Sequence, residues 1–184
     1  VADFARFLPL SQRSGADESG LTSDRRAAVA DCVERAIALL PAQGGATRAR
    51  SFLDDAGLDD VPLTGDDAAS ALATAAATVR GGGRRRTRAL ARTVRALLTL
   101  ARERDADPEL DPAVAGVVAF WASAHAPADR RAAIAGHTVR ASDALWSFGS
   151  GPAIVAPAAD IAAFLLGVSD EPPRPVPGAD LTQR

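Results

Sequence analysis

Residues 79–104 read VRGGGRRRTRALARTVRALLTLARER, and the class of the fold is decided there. Leu90, Val94, Leu97, Leu98 and Ala101 recur at intervals of three and four, so they share one face of a helix over about 85–103. Arg84, Arg88, Arg92, Arg95 and Arg102 fall on the opposite face. Between Arg80 and Arg104 there are nine arginines, with Glu103 the one acid among them. An apolar stripe of that length has to be covered by other helices, and Gly81, Gly82 and Gly83 separate it from an alanine-rich helix upstream.

Further upstream, Val29, Val33, Ala36, Ile37 and Leu40 give a helix from about Ser23, with Asp24 suited to its positive end and Pro41 ending it. A second helix from Ala46 to Ala56 closes on Gly57 in a left-handed cap, Leu58 folding back on its last turn. Its charges oppose its dipole: Arg48 and Arg50 stand near the start, Asp54 and Asp55 near the end. Tertiary pairing and a partner surface both account for that order. Thr64 and Asp67 have the spacing of a capping box for the alanine-rich helix, which runs to Arg80 on Leu72, Ala75, Ala76 and Val79.

Downstream, Asp111 and Pro112 form an N-cap and first-turn pair for a helix bearing Val114, Val117, Val118 and Trp121. Pro127 ends it, and a short helix to Ala135 stops at Gly136. HTVRASDALWSFGSG, residues 137–151, alternates apolar and polar positions and reads as a small hairpin or two extended segments. Pro157 opens a last helix over 158–166 that closes at Gly167. The fold expected is mainly α, a helical bundle with a small β-hairpin element near the C-terminus. It comprises one helical domain over 1–167, with a partly ordered segment at 1–22, a small α/β element at 137–167, and a proline-rich tail at 168–184.

Composition narrows the classes of function. With 184 residues, 47% hydrophobic and 24% charged, the chain has the profile of a soluble globular protein. All 21 basic residues are arginine, and 43 alanines stand against eight phenylalanines and tryptophans, which predicts a thin core and close helix packing. A net charge of -2 means that the molecule as a whole is not built to bind nucleic acid. No stretch approaches the ~20 apolar residues of a membrane span, and VADFARFLPL lacks the basic flank and long apolar region of a leader. The reading is soluble and cytoplasmic, with no membrane partner.

Several chemistries find no residues. A single cysteine, Cys32, makes neither an internal disulfide nor a multi-cysteine metal site. His125 and His137 lie on either side of Pro127 and Gly136 without ligand spacing, so neither a metal nor a cofactor is expected. The glycine triplet matches no phosphate-loop fingerprint, and the chain has no lysine. Phe148-Gly149-Ser150-Gly151-Pro152 lacks the nucleophile-elbow pattern. No catalytic residue is named.

Two constellations remain. The first is an interaction face of Arg84, Arg88, Arg92, Arg95 and Arg102, suited to phosphates or an acidic partner. Against it stands neutralisation by Asp54, Asp55, Asp59, Asp60, Asp66 and Asp67 just upstream. No aromatic residue interleaves the arginines, so single-stranded bases find no stacking platform. The second is a ligand corner of Arg140, Trp146, Phe148 and His137, one charge with aromatic faces. Against that, the two aromatics would seal the interior under the last helix.

Residues 108–167 carry a further pattern: Leu110-Asp111-Pro112 opening a helix, Asp143, Trp146, a turn of Gly149, Gly151 and Pro152, and Leu166-Gly167 closing the final helix. This stretch resembles the C-terminal part of the actinobacterial maleylpyruvate isomerase-like proteins, mycothiol-dependent relatives of the DinB bundles. The resemblance implies a bundle with an appended α/β element, and an isomerase or transferase that uses a low-molecular-weight thiol. The family's metal-binding histidines belong to its N-terminal bundle. Residues 1–107 here hold neither histidine nor tryptophan, so no ligand position carries over.

The function expected is a cytoplasmic, non-catalytic binding or interaction module for a protein partner or a small anionic molecule. The alternatives are a diverged thiol-dependent isomerase or transferase, and a nucleic-acid-associated regulator using the arginine-rich helix. A homo-oligomer is left open.

Overall fold

The computed structural model describes residues 23–41 and 43–175. Its elements are α1 (Arg26–Ala38), α2 (Gly45–Ala56), α3 (Ala68–Gly81), α4 (Thr87–Glu103), α5 (Pro112–His125) and α6 (Ala128–Ile134), then β1 (Thr138–Ala141), β2 (Ser147–Gly149), β3 (Ala153–Ala156), α7 (Ala158–Leu165) and β4 (Arg174–Pro175). The chain is mostly helical, with a small mixed sheet near the C-terminus, as the periodicities predict. The expectations for 1–22 and for 176–184 lie outside the described residues.

The stripe on α4 does what its pattern dictates. Leu90, Val94, Leu97, Leu100 and Ala101 are buried, and α1, α2 and α5 all pack on this helix. Helix α2 runs antiparallel to it, which brings Arg48 to Glu103, Gly57 to Arg92 and Asp60 to Arg85. The backward charges of α2 are thereby answered: Arg48 pairs with Glu103 at 2.8 Å and with Asp55 at 3.7 Å. The guanidinium of Arg92 lies over Gly57 at the negative C-terminal end of α2, supplying the cation that the helix lacks in its own last turn. Gly57 is left-handed at φ +66°, and the Leu58 N–H donates to the Leu53 carbonyl at 2.9 Å, the expected cap.

Two local readings shift. The N-cap of α3 is Asp67, one turn later than Thr64, and its capping box is closed by Ser70. A Cβ at Gly65 would lie 2.6 Å from the Ala71 nitrogen, so residues just before the cap fold over the helix start instead of beginning it. The expected hairpin exists as β1 and β2, antiparallel with Val139 opposite Phe148, but it is part of a larger sheet. Strand β3 joins β1 in parallel and β4 joins β3 antiparallel, giving the order β2-β1-β3-β4. The segment expected as a tail thus begins with docked chain. Arg102 donates to the Val168 carbonyl at 3.0 Å, Arg130 to the Phe164 carbonyl at 2.6 Å and to Asp170 at 2.6 Å, and Pro173 is buried.

Candidate functional site

The four residues expected at the C-terminal corner divide between two faces of the sheet. Side chains alternate along a strand, so Val139 and Ala141 turn to the interior while Thr138 and Arg140 turn away. Arg140 is opposite Ser147, Val155 is its parallel partner, and Arg174 pairs with Val155 in turn. Phe148 lies opposite Val139, on the α5 side. Trp146 also reaches α5: its Nε1–H donates to the Pro112 carbonyl at 2.8 Å, and it lies so close to Gly116 that a Cβ there would be 2.7 Å from Nε1. Trp146 therefore locks the hairpin onto the start of α5.

His137 and Phe148 do come together. With Phe120, Ser123, Arg131 and Ile134 they line a cleft of about 380 Å³. Phe120 meets Phe148 edge to face at 6.0 Å, and the Trp146 ring lies nearly parallel to that of Phe148 at 6.1 Å. His137 is held through Nδ1, which donates to the Ala135 carbonyl at 3.0 Å. His125, in the last turn of α5, stacks on Trp121 at 4.2 Å and spends its Nδ1–H on the Trp121 carbonyl at 2.7 Å. Among the described residues no group of three or more His, Cys, Asp or Glu converges as a metal site. Cys32 is buried, and burial pushes its thiol up to about 12, far from a thiolate at neutral pH.

The five arginines of the expected interaction face have unequal surroundings. Arg84 donates to the Ser23 hydroxyl at 2.5 Å, Arg92 covers Gly57, and Arg102 holds Val168. Arg88 and Arg95 are exposed and make no ion pair among the described residues. The acidic segment upstream does little to neutralise the face: Asp60 pairs with Arg85 at 2.7 Å, Asp55 with Arg48, and Asp67 caps α3. Arg80 is satisfied on the far side by Asp31 and Glu34, both at 2.7 Å. Its hydrogen bond holds the Glu34 carboxyl below the usual range.

At the N-terminal end of α4, Ser23, Arg84, Arg85, Arg86 and Thr87 line a hollow of about 550 Å³; among the described residues no carboxylate lines it, Asp60 reaching Arg85 from outside the lining. The helix starts on Arg86 without a side-chain cap, so its first turn offers unsatisfied N–H groups to that end. Behind it, Asp24 accepts from the N–H groups of Arg26 and Arg85, both at 3.1 Å. Burial alone would raise this carboxyl, but those bonds and the charges of Arg26 and Arg84 outweigh it and hold it low. Arg25, whose N–H donates to the Arg85 carbonyl, has its Nε buried with no acceptor among the described residues.

One feature has no counterpart in the sequence reading. A groove of about 800 Å³ runs past Arg35, Asp107, Glu109, Asp111, Asp143 and Asp160. Two of these acids are used as caps: Asp111 accepts from Ala113 N, and Asp143 accepts from Ala158 N at 2.8 Å, capping α7 from the hairpin loop. The acids come from three separate places, the loop before α5, the hairpin loop and the first turn of α7, so no local spacing announces the whole set. In the patterned stretch 108–167, Asp143 and Trp146 hold separate segments together, Asp111 caps its own helix, and Gly151 lets the chain pass close to the Gly136 carbonyl. No family model, curated protein or solved structure matches this chain.

Proposed function

We propose that the protein is a non-catalytic binding module that seats a small anionic ligand in the hollow at the start of α4. The observation that carries this reading is the lining itself: among the described residues it consists of three arginines, of which Arg85 is shared with Asp60, and two hydroxyl residues. Guanidinium groups bind phosphate or carboxylate oxygens in pairs of parallel hydrogen bonds, and an uncapped helix start adds N–H donors and a favourable dipole. Arg88 continues the positive charge beyond the hollow along α4.

Calorimetric titration with inorganic pyrophosphate tests the reading. Binding should weaken as salt rises, and Arg86→Ala should reduce affinity about tenfold, while Arg95→Ala, two turns further along α4, should change it little. Absence of binding at about 1 mM pyrophosphate, or equal binding by Arg86→Ala, would overturn it. A nucleic-acid reading rests on the extension of charge to Arg88 and Arg95. Short duplex DNA displacing pyrophosphate with a steep salt dependence, weakened by Arg95→Ala, would favour that alternative.

A further inference from the structure

We infer that the cleft between α5, the α6–β1 turn and β2 is a second binding site, for a small planar carboxylate such as an aryl acid. This site is independent of the hollow at α4. Its volume, about 380 Å³, lies in the range of small-molecule sites. Two rings, Phe120 and Phe148, form the walls edge to face, and the buried Ile134 and Val139 close the interior side. Phe120 is 66% exposed, a large apolar surface held in water beside a concavity.

Against these apolar walls stands one full charge. Arg131 lines the cleft, is exposed, and makes no ion pair among the described residues. His137 lines it too, its ring fixed through Nδ1–H on the Ala135 carbonyl; a neutral ring so held offers Nε2 as an acceptor only, so the carboxylate falls to Arg131. An aromatic ring packs on Phe120 and Phe148 in the offset or edge geometry that such rings prefer, and its carboxylate takes the guanidinium in a bidentate pair. Inorganic phosphate fits worse, because one guanidinium among apolar groups leaves the other oxygens of a dianion unbonded. An uncharged arene leaves Arg131 unused.

Amide NMR spectra of the full chain, titrated with benzoate, benzyl alcohol and inorganic phosphate, provide the test. Benzoate should saturably shift Phe120, Arg131, His137 and Phe148, with the alcohol and phosphate about tenfold weaker. Arg131→Gln should weaken benzoate about tenfold and Phe120→Ser should weaken it too, while Arg140→Gln, on the opposite face of the sheet, leaves it intact. These exposed substitutions should leave the circular dichroism and melting temperature unchanged. Retained benzoate binding in Arg86→Ala separates this site from the proposed α4 ligand. No saturable shift at about 10 mM benzoate, equal affinity for the alcohol, or indifference to Arg131→Gln overturns the inference. Concentration-dependent sedimentation abolished by Phe120→Ser, without benzoate shifts, overturns it in favour of a contact between copies of the chain.

Discussion

At Gly57 the backbone is left-handed and the Arg92 guanidinium lies where a side chain would begin, 2.2 Å from a Cβ built there. Gly57→Ala combines the cost of that φ for an L-residue with displacement of the cation from the end of α2, and should destabilise by about 1–2 kcal/mol. In urea unfolding, Arg92→Ala should remove the steric part but leave the conformational part, so the double variant loses less than the sum of the two singles. Strict additivity would show that Arg92 does not rest on this cap. The cap itself is legible in the sequence, since glycine after a helical run followed by leucine is a local signal. The place of Arg92 is not: its helical face is legible, but whether that face meets solvent or another helix depends on α2 running antiparallel alongside. The face that Arg140 takes is illegible for a similar reason, because shifting the strand register by one residue exchanges the faces and the loop over 142–146 carries no glycine or proline to set it.

Helix α7 is only eight residues long and begins on Pro157 with no cap of its own, so Asp143 from the hairpin loop supplies the acceptor. Nearby in its first turn, Asp160 has its carboxyl pushed above the usual range, first by burial and then by the charges of Glu171 and Asp143. A carboxyl with a raised folded-state pKa prefers to be neutral in the fold. Its ionised form therefore costs stability at neutral pH, and that cost fades as the pH falls through the raised value toward the ordinary one. Asp160→Asn should be more stable than the parent at pH 7 in urea unfolding, and the advantage should vanish near about pH 3.5. A constant difference across that range would mean that titration of Asp160 is not its origin. The short strand at 153–156 shows why such elements escape a sequence reading: Ala-Ile-Val-Ala is an apolar run without alternation, and its parallel partner lies beyond the intervening β2. The helices, by contrast, each carry their own period and stop signals.

Two cations tie the end of the described chain to the helical body. Arg102 holds Val168, while Arg130 bonds the Phe164 and Ser169 carbonyls and Asp170, with its guanidinium 5.1 Å from the centre of the Phe164 ring. Arg130→Ala should leave the helical core folded but speed amide exchange over residues 168–175 and in β3, whose Val155 faces Arg174. Exchange mass spectrometry checks this, and unchanged protection there would show that β4 docks without the guanidinium. Hydropathy alone presents this segment as proline-rich and polar, because what fixes it is charge from α4 and α6. The acidic groove and the aromatic cleft are likewise assembled from separate stretches, so the candidate sites are less legible than the helices that carry them.

The strand order β2-β1-β3-β4 has a consequence for synthesis. Helices α1 to α4 find one another within the first 103 residues, whereas the sheet gains its last strand only after residue 175 has left the ribosome. The β3–β4 edge is therefore the last part to mature, after the aromatic corner at the opposite, β2 edge. A nascent chain stalled before that point would carry a finished basic helix beside an unfinished sheet.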